Sequence, residues 1–194
     1  VLGALAETEN IGDHGSSHVY PPHVVTPLAG LREAAPEGFE IVHDVGEDLE
    51  RVGELAIAAD VVLVVAGYTH ADEGEYIPGE PPDAPSGGTP SIGGDRLDLS
   101  LGETQEALIR AAAGANPKTI VAVMAGSAVV LEAWREEVAA ILLLWYPGME
   151  GGHALAGVIF GGVNPSGRLP FSVPKRAEDL PFFDRDAVAI TYDL

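Results

Sequence analysis

One stretch limits the folds open to this chain more than any other. Val61-Val62-Leu63-Val64-Val65-Ala66 is short, mostly β-branched and free of polar residues, and Gly67 ends it. An uninterrupted run of that length suits a central strand buried on both faces, as in a parallel sheet. Thr119-Ile120-Val121-Ala122-Val123-Met124, broken by Gly126-Ser127, reads the same way, and so does Ala140-Ile141-Leu142-Leu143-Leu144. Segments with helical spacing lie around them. Thr26 caps a helix with Pro27 at its first position and Leu28, Leu31 and Ala34 as its apolar face. Residues 48–59 place Leu49, Val52, Leu55, Ala56 and Ala59 on one side. Residues 101–113 carry Glu103 in the first turn, where the helix dipole favours it, and 151–160 form a helix of small residues. Strands alternating with helices make βαβ units. The expected fold class is α/β: a three-layer α/β/α sandwich around a mostly parallel sheet, in one domain over residues 1–194. Weaker patterns predict a first buried strand over 1–6, a second over 39–43, a short helix over 132–138 and an edge strand over 167–173, where Pro170 is tolerable.

The segment after Gly67 is where chemistry is expected, since open α/β sheets bind ligands outside the carboxyl ends of their strands. It runs Tyr68-Thr69-His70-Ala71-Asp72-Glu73-Gly74-Glu75-Tyr76, then through a Pro- and Gly-rich stretch to Gly93-Gly94-Asp95-Arg96. It is too long for an ordinary connection. Asp72, Glu73 and Glu75 crowd together, and neighbouring carboxylates repel when ionised, so one should hold its proton more tightly than usual. A glutamate in that condition can protonate a leaving-group oxygen near neutral pH.

Composition narrows the alternatives. Thirty acids against ten bases give a formal net charge of −20, and Lys118 and Lys175 are the only lysines. Such a chain offers no general basic surface to a nucleic-acid backbone and is repelled by anionic membranes, so neither partner is expected. Cysteine is absent, which removes disulfides, thiolate catalysis and Cys-ligated metals. No apolar run reaches the ~18–20 residues of a membrane-spanning helix. His14, His18 and His23 share one loop with Asp13, yet no spacing matches HExxH or another zinc signature. Gly148-Met149-Glu150-Gly151-Gly152 is neither a dinucleotide fingerprint nor a P-loop, and Glu150 would repel a phosphate. Ser127 lacks a GxSxG elbow. No cofactor and no metal are expected.

Several runs together resemble the second domain of the family 3 glycoside hydrolases, the β-glucosidase and β-xylosidase group. The longest is Trp145-Tyr146-Pro147-Gly148-Met149-Glu150-Gly151-Gly152-His153-Ala154-Leu155-Ala156, continuing into Phe160-Gly161 and Asn164-Pro165-Ser166-Gly167-Arg168-Leu169-Pro170. Gly94-Asp95-Arg96-Leu97-Asp98-Leu99 with Gln105, Leu108 and Ile109 is similar to another family segment, as is Gly12-Asp13-His14-Gly15 with Val25-Thr26-Pro27-Leu28. The resemblance covers almost the whole chain. It implies an upstream (β/α)₈-type barrel that supplies an Asp nucleophile, while a loop of this domain supplies a Glu as general acid/base. The reaction it implies is retaining hydrolysis of a β-linked glycoside or oligosaccharide.

Some fungal β-glucosidases of this family carry Ala-Asp-Ser-Gly-Glu-Gly-Tyr-Ile where this chain has Ala71-Asp72-Glu73-Gly74-Glu75-Tyr76-Ile77. One gap placement puts the acid/base on Glu75 and the other on Glu73, and Glu75 is favoured. Asp13, His14 and Gly15 match a loop near the sugar-binding entrance, and the Asp95-Arg96 pair is expected to support the acid/base loop. With the barrel absent and both ends resembling cuts in a longer chain, the isolated chain is expected to be inactive. The alternative functions are a non-catalytic module that binds glycans or packs on the barrel, and a flavodoxin-like nucleotide-binding domain.

Overall fold

A computed structural model describes residues 1–12, 14–74, 96, 98–182, 184, 187–189 and 191. The three apolar runs form one parallel sheet of β1 (Val62–Gly67), β2 (Thr119–Met124) and β3 (Ala140–Leu143), in that order. Val64 lies opposite Val121, and Val121 opposite Ile141. Successive strand side chains point to opposite faces. Val62, Val64, Ala66, Val121 and Val123 therefore enter one core with the apolar sides of α2 (Leu49–Ala58) and α4 (Glu103–Ala115). Leu63, Val65, Ala122 and Met124 enter a second core under α1 (Pro27–Ala34) and α5 (Gly151–Ile159). This is the three-layer sandwich the sequence implies.

Local chemistry sets the helix starts. Thr26 Oγ1 accepts from Ala29 N–H at 3.3 Å, with Pro27 at the first position of α1. Asp48 Oδ1 accepts from Glu50 and Arg51 at the start of α2. Asn116, buried just after α4, donates to the carbonyls of Ala56 and Ala59 at 2.9 and 2.7 Å and so ties α4 to the end of α2.

The weaker sequence expectations are corrected. Leu2 does pair beside β1, through Leu2 N–H to Leu63 O and Val65 N–H to Leu2 O, both 2.8 Å, and it also bridges to Asp44. No strand continues, because Gly3 at φ 102° turns the chain into a 3₁₀ turn at Ala4–Ala6. Residues 39–43 are not a strand. Asp44 alone makes the bridge, and Phe39, 63% exposed, lies edge-on to Phe160 instead. Residues 132–138 form hydrogen-bonded turns rather than a helix, which lower Trp134 into the α2–α4 core. Residues 167–173 form no strand and are mostly exposed.

α1 and α5 meet backbone to backbone. A β-carbon on Gly30 would lie 2.2 Å from the carbonyl carbon of Gly152, and one on Gly152 would lie 2.1 Å from the carbonyl oxygen of Thr26. Backbone on both sides cannot yield. Gly152→Ala should destabilise the domain by about 3 kcal/mol, as overpacking of a tight contact does. Urea unfolding should show a lower midpoint with an unchanged slope.

Exposed charges clasp the same helix pair. Glu150 receives His23 Nε2 at 2.7 Å and His153 Nδ1 at 2.6 Å, and His153 Nε2 reaches Glu33 at 2.8 Å. The hydrogen bond to Glu33, then that to Glu150, raises the pKa of His153 above 6.5. His153, followed by His23, lowers that of Glu150 below 4.5. A raised imidazole stabilises fully below its unfolded pKa and loses that effect as pH rises through the folded value. A lowered carboxylate stabilises above its unfolded pKa and loses that effect as pH falls through the folded value. The thermal-stability deficit of His153→Ala should therefore be largest between the two unfolded values, 4.5 and 6.5. It should shrink as melting is followed upward in pH through the raised folded value of His153.

Candidate active site

Position begins with the end of β1. Gly67 has φ 140°, and a β-carbon there would lie 1.8 Å from Met124 O, so only glycine fits. Gln105 of α4 holds its backbone on both sides: Gly67 N–H donates to Oε1 at 2.7 Å, and Nε2 donates to Gly67 O at 2.8 Å. Tyr68 N–H donates to Met124 O at 2.8 Å, Asn10 Nδ2 donates to Tyr68 O at 2.8 Å, and the Tyr68 hydroxyl donates to Ser100 O. The chain thus leaves the sheet along a fixed path.

The acidic segment opens with a single helical turn that its polarity did not announce, α3 (His70–Glu73). Thr69 and Asp72 form a capping box around it, with Asp72 Oδ2 accepting from Thr69 N–H at 2.8 Å and Thr69 Oγ1 at 3.0 Å. The last residue of α3, Glu73, turns inward, with only 7% of its side chain exposed. Its Oε2 meets Arg96 Nε at 2.9 Å. Its Oε1 accepts from the Tyr146 hydroxyl at 2.8 Å and from Gly126 N–H. Arg96, equally buried, lies over the Tyr68 ring at 4.2 Å and donates through Nη2 to Ala128 O at 2.8 Å and to Ser127 Oγ.

Glu73 therefore gathers groups from beyond the carboxyl ends of all three strands: α3 follows β1, Gly126 follows β2 and Tyr146 follows β3. The crowding expected of the three carboxylates takes a different form, because Asp72 and Glu73 are each engaged by donors. Burial, then Glu73, pushes the Tyr146 hydroxyl far above the ordinary phenol range. Burial also raises the Tyr68 pKa, against an opposing pull from Arg96. Both phenols are hydrogen-bond donors at any physiological pH.

Of the residues singled out from the sequence, Glu75, Asp13 and Asp95 lie outside the described residues. His14 stacks on His70 with centroids 3.5 Å apart and on His18 at 4.5 Å, and His18 stacks on Tyr20 at 4.3 Å. Gly15 O accepts from His18 N–H at 3.0 Å. His23 does not join its loop neighbours, because its partner is Glu150. Desolvation lowers the pKa of His70, with Asp72 opposing and His18 reinforcing. Among the described residues no group of three or more His, Asp or Glu could hold a metal ion. Sequence reading missed Tyr146 and His70 as site residues. The signal for Tyr146 was its place directly after a strand.

Removing one partner of a buried ion pair leaves an uncompensated charge. Glu73→Gln and Arg96→Met should each cost about 3–5 kcal/mol. The double variant should lose clearly less than the sum. Urea unfolding of the four proteins measures that coupling.

Comparison with known proteins completes the description. The model of the glycosyl hydrolase family 3 C-terminal domain matches residues 1–193. A β-glucosidase of Schizophyllum commune is 36% identical over 165 residues, 82% of this chain and 79% of the relative. β-Glucosidase B of Emericella nidulans is 34% identical over 145 residues, 74% of this chain and 15% of the relative. The crystal structure of a family 3 β-glucosidase from Bifidobacterium adolescentis superposes with a TM-score of 0.73 at 29% identity, over 93% of this chain and 25% of that one. The chain thus spans most of the first relative and a quarter or less of the other two.

Proposed function

This chain belongs to the C-terminal domain family of the family 3 glycoside hydrolases, and we propose that it supplies the general acid/base of a retaining β-glycosidase of β-glucosidase type. The observation that carries the assignment is the engagement of Glu73. Its carboxylate is buried and accepts from Arg96, Tyr146 and Gly126, so it is spent on holding the loop and has no path to a glycosidic oxygen. Glu75, two residues on, takes the acid/base role. A barrel domain contributes the nucleophilic carboxylate, as retaining hydrolysis needs a pair of carboxyl groups about 5–5.5 Å apart across the scissile bond.

In the first step the barrel carboxylate attacks the anomeric carbon while Glu75 protonates the departing oxygen. In the second step Glu75 removes a proton from water as it attacks the glycosyl–enzyme. His14 and Gly15, with Asp13, border the sugar. Leu169 and Phe171, which keep 51% and 39% of their surface in the described chain, favour a partner domain packed on this region. The isolated chain has one of the two carboxylates the reaction needs and is inactive alone.

The test is hydrolysis of aryl and alkyl β-glucosides by this chain, alone and combined with its barrel. Activity should appear only in combination. In the combined protein, Glu75→Gln should lower kcat/KM about 10²–10⁴-fold on alkyl glucosides, the scale of general acid catalysis. It should barely change kcat/KM on a dinitrophenyl glucoside, whose leaving group needs no proton. Turnover by the chain alone, or equal losses on both substrates, would overturn the reading.

A further inference from the structure

The junction around Glu73 is built more firmly than a surface loop root requires. Its Tyr146 arm comes from a turn held at every step. Trp145, directly before it, has φ 55°, the sole positive φ outside glycine among the described residues. A bulky residue in the left-handed region is strained, and such strain persists only where the surroundings fix it. Pro147, directly after it, fixes its own φ. It packs so closely on Gly151 that a β-carbon there would lie 2.5 Å from its ring. Met149 O accepts from Val25 N–H at 2.8 Å, and Gly152 N–H donates to Val25 O at 3.0 Å, which seats the turn on the segment entering α1. The Tyr146 hydroxyl therefore projects from a rigid mount. Its acceptor, Glu73, ends α3, whose other end is closed by the Thr69–Asp72 box.

Geometry links that mount to the reacting group. Glu75 follows Glu73 by two residues in the sequence, so whatever anchors Glu73 anchors the point from which the segment carrying Glu75 departs. A misplacement of about 1 Å at a reacting group costs on the order of 10²-fold in rate. Arg96 and Gly126 N–H hold Glu73 from two sides, and among the described residues Tyr146 is the one arm that reaches it from beyond β3.

We propose that Tyr146 is a positioning residue for proton donation: by donating to Glu73 it fixes the root of the segment carrying Glu75 against the turn after β3. The inference rests on the reading of Glu75 as the acid/base. Tyr146 does not touch substrate and transfers no proton. Its effect falls on the step that needs an aligned acid, and it is invisible where no acid is needed.

Tyr146→Phe keeps the ring against Gly126 and removes one oxygen. In the protein that unites this chain with its barrel, kcat/KM on alkyl glucosides should fall about tenfold, a fraction of the loss from full misplacement. The dinitrophenyl glucoside should lose less than about twofold, since no protonation is needed there. On the alkyl glucosides the loss should sit in kcat, with KM nearly unchanged. In the Glu75→Gln background Tyr146→Phe should cost nothing more, because no acid remains to be aligned. Gly126→Ala gives a second perturbation that deletes no hydrogen-bonding group: its β-carbon would sit 3.1 Å from the Tyr146 ring and 3.2 Å from Glu73 Oε1. It should reproduce the same split between substrates.

Equal losses on both substrates, or a further loss in the Glu75→Gln background, would make Tyr146 a merely structural residue and sink the inference alone. If Glu75→Gln itself shows no dependence on the leaving group, the acid/base assignment falls and the inference falls with it.

Discussion

A buried carboxylate–guanidinium pair holds together the end of this domain that lies beyond the carboxyl ends of its strands. Glu73 and Arg96 are each more than nine-tenths covered and 2.9 Å apart, a placement tolerated only because other donors and acceptors surround both. Arg96 takes up the Tyr68 ring, Ser127 and Ala128, while Glu73 takes up Tyr146 and Gly126. The segment after β1, the turn after β2 and the turn after β3 thereby meet at one carboxylate. Charge burial usually costs more than it returns. What this pair contributes is a defined arrangement of three chain segments that apolar packing could have met in several ways.

Beneath it the sandwich is organised by close approach. Gly30 and Gly152 let α1 and α5 touch through their backbones, and Gly67 lets the end of β1 pass under Met124 O. These glycines serve one end of the sheet, where the turn of residues 145–150 is pinned between α1 and the site. The packing that seats the Trp145–Glu150 turn also sets where the Tyr146 hydroxyl stands. Stability and site geometry are here properties of the same contacts.

The sequence made the sheet legible because its signal is local. Residues 119–124 are apolar or β-branched throughout, and that run is β2 to the residue. Expectation failed where a single residue or a distant partner decided the matter. Gly3 turns the chain after one bridged position, so the apolar run at residues 1–6 is not a strand. Phe39 finds a ring rather than a neighbouring strand. The charged pattern of 132–138 suits a helix, yet burial of Trp134 sets the path. At the site, the two glutamates are alike in one dimension. What places Glu73 is contact with residues 53 and 73 positions away, and no spacing rule carries such information.

The ion pair has a consequence for how such a domain can change over generations. The stretch between residue 73 and residue 96 begins and ends at the same salt bridge. Closing a detour at its base makes the rest of the fold almost indifferent to the detour's length, since each doubling adds only about 0.6 kcal/mol of closure entropy. A change in its length should therefore leave the pairing of β1 with β2 untouched. The domain thus separates a socket defined by two side chains from a stretch whose length the sheet scarcely feels.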